Sequence, residues 1–395
     1  MRYLSADLIF PIHTPPVLEG IVVVDDEGRI FDVLDPFKNE IPSSLPIERF
    51  NGILCPGFVN THCHLELSHL KGKISQKKGL PEFISEMIEK RNGDSEEILH
   101  AMTQADTELF SEGIVAVGDI SNSSISSIVK KKSKIYYHTF IELFDISSER
   151  ADKVFNDGID LKKEFSENGL IASIVPHSLY TVSDRLMKLI CANTEKSKSF
   201  FSIHNQETSG ENEMFEKGTG ALIDKMQKLT FAFSNWKPSG KSSLATFIDR
   251  FNPTFTVQLV HNTFTELLDI QMMLRKNNSV YWCLCVNANL FIENVTPDIP
   301  MFIKEKCLIT IGTDSYASNL SLSVLDELRM IAFKYPKIAL QEMLTWATLN
   351  GADFLRISDK YGSFEKGKKP GINLIYGIDS KQLMLKNESK LQKLI

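Results

Sequence analysis

Between residues 58 and 315 short apolar stretches alternate with amphipathic ones, and this alternation constrains the fold more than any other feature of the chain. The apolar stretches are GFVNTH, IVAVGDIS, KIYYHTFIELF, LIASIVPHS, FFSIHNQE, TVQLVHNT, SVYWCLCVNAN and LITIGTDS. Each has the length of a strand and is rich in β-branched or aromatic residues. Helical patterns separate most of them, among them PEFISEMIEKRN, EEILHAMTQADTELFSE and DRLMKLICANTEKSK. Parallel strands need a long crossover, usually helical, so the alternation predicts a parallel sheet. Eight such units predict an α/β fold, a (β/α)8 TIM barrel. The last helices are expected in SLSVLDELRMIAFK and LQEMLTWATLNGADFLR.

The chain ends read differently. Residues 1–57 hold short strands (YLSADLIF, IVVVDD, RIFDVL, GILCPGFVN) broken by Asp-Glu-Gly and Asp-Pro turns. Residues 358–395 turn β-like again in KKPGINLIYGID. The expected architecture is a small β-sandwich domain built from both ends, 1–57 and 358–395, beside a barrel over 58–357. The polar stretch 208–250, containing WKPSGKSS, is expected as an insertion or lid between the fifth and sixth strands. The run Lys130-Lys131-Lys132 is expected on a solvated surface.

Charge and cysteine content narrow the function class. The net charge of −6 speaks against a nucleic-acid binder. No apolar run reaches the length of a membrane span, and MRYLSADLIF lacks the basic and apolar regions of a secretory signal. The 6 cysteines form no Cys-x-x-Cys pair and are expected reduced, in a cytoplasmic protein. Cys283 and Cys285 alternate onto one strand face and are expected buried.

The histidines point to chemistry. Of 9, five fall at or just past the C-terminal ends of proposed strands: His62, His64, His177, His204 and His261. That rim is where barrel enzymes carry their active sites. His62 and His64 project the same way from an extended strand, as two ligands of one metal must. His204 ends the fifth strand and is a further candidate ligand, and Glu207 beyond it suits proton transfer. His261 is either another ligand or a group bonding a metal-bound water. Asp314 follows a buried strand, a poor place for a carboxylate unless a cation pairs with it. Together these residues suit a hydrolytic metal that keeps one position open for water. No lysine occupies the place of His177, which favours one metal over two and leaves His177 for the substrate. Glu66 and His69, in HLELSHLKG, either touch substrate or pack in the loop. His13, His100 and His138 read as structural.

With these motifs in order, the chain resembles the amidohydrolase superfamily, in the branch of deaminases and chlorohydrolases acting on nitrogen heterocycles. PGFVNTHCH, VPHSLYTVS, HNQE, VHN and GTDS are similar to its rim motifs, and TLNGADFLRI and GSFEKGKKPGINLI to its closing helix and return strands. HLELS resembles the aminofutalosine deaminases. The resemblance implies one divalent ion, Zn²⁺ or Fe²⁺, on His62, His64, His204 and Asp314. It implies that His261 contacts the metal-activated water, that Asp314 helps deprotonate it, that Glu207 protonates a ring nitrogen and that His177 bonds the heterocycle. The expected activity is hydrolytic deamination of a purine nucleoside-like compound, aminofutalosine included, with release of ammonia. Alternatives are guanine or cytosine deamination, cyclic-amide hydrolysis and halide displacement. The expected partner is a small heterocycle, with no nucleic acid and no membrane; barrels of this kind commonly pair as homodimers. Two departures from the familiar pattern stand out: the long gap from Glu207 to His261, and Cys285-Val286-Asn287-Ala288-Asn289, where related proteins often have proline after the cysteine.

Overall fold

The computed structural model describes residues 1–198, 200–379 and 383–395. Residues 380–382, within the expected return segment, lie outside the described residues. Eight strands carry the parallel part of the fold: β1 (Phe58–Cys63), β2 (Ile114–Ser121), β3 (Tyr136–Leu143), β4 (Ile171–Pro176), β5 (Phe201–Asn205), β6 (Val257–His261), β7 (Val280–Leu284) and β8 (Leu308–Ile311). They pair in parallel as two four-stranded sheets, β1 to β4 and β5 to β8, each in chain order. Each strand is buried almost throughout, which is why these segments read as continuous apolar runs rather than alternating ones.

The two sheets approach each other at their C-terminal ends. Isolated parallel bridges join Cys63 to Asp314 and Ser178 to His204. The His204 amide donates to the His177 carbonyl at 2.9 Å, and the Asp314 amide to the His62 carbonyl at 3.1 Å. Below this rim a buried polar layer holds β1 against β6 and β8. Thr61 Oγ1 donates to Thr310 Oγ1 (3.0 Å), Thr310 to Gln258 Oε1 (3.1 Å) and Gln258 Nε2 to the Thr61 carbonyl (3.0 Å). Each of these buried polar groups has a partner, without which its burial would be costly.

Helices fall where the sequence pattern puts them: Leu80–Lys90, Ser95–Ser111, Asp184–Ser197 and Val324–Lys334. Their starts are chemically marked. Asp94 accepts the amides of Glu96 and Glu97, and the Ser183 and Ser323 hydroxyls accept those of Leu186 and Asp326. The last expected helix divides at Thr348 into Leu340–Ala347 and Leu349–Phe354. Segment 208–250 is largely helical, with helices Ser209–Lys217, Ala221–Leu229 and Ser243–Arg250.

Strands from both chain ends join one seven-stranded sheet. Arg2–Ile9 lies parallel to Ile47–Pro56, which pairs antiparallel with Ile372–Tyr376, Leu54 opposite Leu374. Gly52 sits at φ +126°, and a Cβ there would stand 2.3 Å from the Ile375 carbonyl oxygen. Only glycine tolerates both.

Two expectations are corrected. SVYWCLCVNAN is strand only to Leu284; Val286–Ile292 is helical. Lys130 is not on a solvated surface but buried, its Nζ 2.6 Å from Asp119 Oδ2 and bonded to Ser121 (2.9 Å) and Thr139 (3.0 Å). A buried carboxylate in β2 needs a counter-charge, and the short helix Ser127–Lys130 delivers it.

Candidate active site

The site assembles where the two sheets meet. His62 and His64 leave the end of β1 on one side, their rings edge to face with centroids 4.8 Å apart and their Nε2 atoms 3.1 Å apart. Asp314, just past β8, brings Oδ1 to 3.6 Å from His62 Nε2 and 3.3 Å from His64 Nε2. The ring of His204, in β5, lies 4.8 Å from His62. Ligand-capable atoms of His62, His64 and His204 fall within 4.8 Å of one another. Gly312 makes this approach possible, because a Cβ there would come within 2.8 Å of His62 Cβ and of both Cys283 and Cys285 sulfurs.

Backbone geometry aims these groups. His261, Asn262, Gln206 and Asp314 hold φ values of +74°, +57°, +46° and +55°. Side-chain-bearing residues rarely adopt this region, and such strain clusters at functional sites. Hydrogen bonds then fix each imidazole. His204 Nδ1 donates to the His177 carbonyl at 2.9 Å, and His261 Nδ1 to Asn289 Oδ1 at 2.9 Å, leaving each Nε2 as an acceptor. His261 Nε2 stands 3.6 Å from Glu207 Oε1. The Ser318 hydroxyl donates to Asp314 Oδ2 at 2.6 Å.

The dry surroundings set the charges. Burial pushes His64 down to about 3 and His261 to about 4, and His204 well below its ordinary value, so these imidazoles stay neutral, the form that binds metal. Burial pushes Glu207 well above the usual carboxylate range, reinforced by the charge of Asp314. Burial also acts upward on Asp314, but the neighbouring His62, His64 and His261 hold it well below that range. Three imidazole nitrogens and one carboxylate, converging in a dry corner, fit a divalent cation of the N/O-binding kind.

A cleft of about 990 Å³, including its open mouth, leads to this corner. His64, His177, His204, Glu207, His261 and Asp314 line its floor. Leu80, Phe83, Ile84 and Met87, one face of the helix Leu80–Lys90, make an apolar wall. Met226, from segment 208–250, lines the cleft as well.

Glu66 and His69 do not line the cleft. The Glu66 carboxylate accepts the amides of Asn122 (3.0 Å) and Ser123 (3.2 Å), and His69 Nε2 bonds the Arg91 carbonyl at 3.0 Å. Each braces a segment that contributes Asn122 or Arg91 to the wall. Two groups escaped the sequence reading. Glu142, at the end of β3, is buried within 4.8 Å of ligand-capable atoms of His177 and His204. Its signal was the one that marked Asp314, a carboxylate closing an apolar strand. Glu211 accepts the Glu207 amide at 3.3 Å and the Ser243 hydroxyl, and no local pattern marks it.

A parallel α/β fold of TIM-barrel type with a histidine–carboxylate cluster at its strand ends defines the class of protein. Within that class, the sequence model of the Amidohydrolase family matches residues 53–393, and the chain belongs to that family. It is similar to adenosine deaminase of Helicobacter pylori, 26% identical over 99% of this chain and 95% of that protein. The crystal structure of Helicobacter pylori aminofutalosine deaminase with methylthio-coformycin superposes with a TM-score of 0.82, at 22% identity, covering 97% of this chain and 94% of that one. The structure of an adenosine deaminase from Xanthomonas campestris with bound zinc gives 0.70, at 21% identity, covering 94% and 84%.

Proposed function

We propose that this protein is a hydrolytic deaminase of an amino-substituted purine nucleoside or related heterocycle, with aminofutalosine among its candidate substrates. The observation that carries this reading is the placement of two buried carboxyls around one histidine cluster, Glu207 Oε1 3.6 Å from His261 Nε2 and Asp314 Oδ1 3.3 Å from His64 Nε2, with burial acting upward on Glu207 and the histidines downward on Asp314. Such a pair divides into an acid and a base. Burial favours the protonated form of Glu207, and the histidines around Asp314 favour its carboxylate. Glu207 delivers its proton to a ring nitrogen, which lets the neighbouring amino-bearing carbon accept a nucleophile. Asp314 takes a proton from the attacking water. His261 Nε2, kept bare by the Asn289 bond to Nδ1, orients that water beside Glu207. His177 faces the heterocycle. The proton then passes to the amino group, which leaves as ammonia.

His62, His64, His204 and Asp314 would hold one divalent cation, zinc or iron(II). When bound there, such a cation supplies Lewis-acid activation of water. We read the two parallel sheets as a single closed barrel over 58–357, and the segments 1–57 and 358–395 as one β-sandwich domain. For the assembly we infer a homodimer, and for the location the cytoplasm.

The test is ammonia release by purified protein, metal content assayed in parallel, from adenosine-type nucleosides, aminofutalosine, guanine and cytosine. Glu207→Gln is expected to keep its metal and lose about 10²–10⁴-fold in turnover. An active Glu207→Gln protein would overturn the assigned role. Metal-loaded protein that releases no ammonia but opens a cyclic amide or frees chloride would move the reading to another branch of amidohydrolase chemistry.

A further inference from the structure

Glu142 ends β3 inside the cleft, and its carboxyl is more than nine-tenths buried. Oε1 has no hydrogen-bond partner. His204 Nδ1 stands 3.4 Å from it, but that N–H is committed to the His177 carbonyl at 2.9 Å. The other side of the residue is anchored: Asn122 Nδ2 donates to the Glu142 carbonyl at 3.0 Å and reaches Oε2 at 3.4 Å. A buried acceptor left unpaired costs free energy, and buried polar groups are otherwise nearly always satisfied. An anchored carboxyl with an unpartnered oxygen, on a residue that lines a ligand cleft, is therefore built for a donor that the ligand brings.

The donor's chemistry follows from position. His204 presents its Nδ1 edge to Glu142, at 3.4 Å from Oε1, and keeps Nε2 for the reacting corner; its ring lies 5.4 Å from that of His261 and 4.7 Å from that of His177. Glu142 thus meets the part of a substrate beside the heterocycle, not the carbon under attack. In a nucleoside that part is the sugar, whose hydroxyls are the donors an acceptor oxygen selects. Beyond it the cleft wall turns apolar, with Leu80, Phe83, Ile84 and Met87.

We propose that Glu142 is a specificity-determining residue that accepts the sugar hydroxyls of the substrate, making the enzyme selective for ribosylated heterocycles. This rests on the deaminase reading above. Two other roles are open to the same side chain and make different predictions. Glu142 as a brace for His204 would act through metal retention. Glu142 with His177 and His204 as a second cation site would act through metal stoichiometry.

The experiment compares adenosine with 2′,3′-dideoxyadenosine on wild type, Glu142→Gln and Glu142→Leu, with metal content measured for each. Wild type is expected to prefer adenosine by about 3–10-fold in kcat/KM, the worth of a hydrogen bond to an uncharged carboxyl. Both variants are expected to close most of that gap through a higher KM for adenosine, with little change for the dideoxy compound and unchanged metal. A gap that survives substitution, equal losses on both nucleosides, or metal falling from two ions per chain to one overturns the proposal. Calorimetric binding of the two nucleosides to Glu207→Gln protein repeats the comparison without turnover. Ribose-selective binding that Glu142→Leu abolishes sustains the proposal even if no ammonia is released, an outcome that would sink the deaminase reading alone; binding without ribose preference overturns it.

Discussion

Glu327 shows how a buried carboxyl marks a protein's response to pH. It lies wholly buried in the helix Val324–Lys334, accepting the Asn287 amide at 3.0 Å and Asn319 Nδ2 at 3.0 Å. Burial outweighs these bonds and pushes it up to about 8. The folded form therefore holds a proton that the unfolded chain releases near the ordinary carboxylate value. The resulting stability is fully present below that value and is lost as pH rises through 8. Between pH 5 and 8.5 Glu327→Gln is expected to lose less stability than wild type, by on the order of 1–3 kcal/mol. Denaturant midpoints across that range check it; parallel slopes would exclude Glu327 as the source. At this scale the sequence was legible where one residue type suffices. His62, His64, His204, His261 and Asp314 announced themselves by standing at the ends of apolar strands. Glu142 carried the same strand-end signal and went unread, and Glu327 carried none, because a lone glutamate on a helix looks the same whether solvent or a packed asparagine faces it.

Elements carry the Lys130–Asp119 pair. β2 contributes Asp119 and the helix Ser127–Lys130 contributes the lysine, both side chains fully buried. Asp119 Oδ1 also accepts the Leu65 amide at 2.8 Å, so the pair fixes the chain directly after His64. Removing one partner leaves an uncompensated buried charge. Lys130→Met is expected to cost about 3–5 kcal/mol in denaturant unfolding, and the double variant Asp119→Asn, Lys130→Met to recover part of it. A single variant within about 0.5 kcal/mol of wild type would show that the pair does not brace β1. Elements were legible as periods: the face Leu80, Phe83, Ile84, Met87 follows helical spacing. Lys130 was not, because a run of three lysines signals solvent on average, and only the docking of this helix on β2 takes the first of them inside.

The whole molecule brings four strand ends into one corner from residues 62 to 314, so occupation of that corner couples to global stability. A cation that binds the folded form alone adds about 2.7 kcal/mol when present at 100 times its dissociation constant. Stripping divalent metal with a chelator is expected to lower the melting temperature, and zinc or iron(II) to restore it. Asp314→Asn is expected to blunt the response. A melting curve indifferent to chelation and to added metal would separate the site from stability.

What the sequence determined alone was whatever local pattern encodes. Eight apolar strands with helices between them set a parallel α/β fold, and rim motifs in order marked the metal-type corner. Those signals are local because strand and helix periodicities are written in neighbouring residues. Tertiary structure decided which partners meet. It turned Val286–Ile292 into a helix that offers Asn289 to His261. It tied Glu66 and His69 to the segments that bring Asn122 and Arg91 to the cleft, and it left Oε1 of the cleft-lining Glu142 without a partner. Those pairings join residues tens to hundreds of positions apart. They are set by packing across sheets and loops, where no sequence period runs.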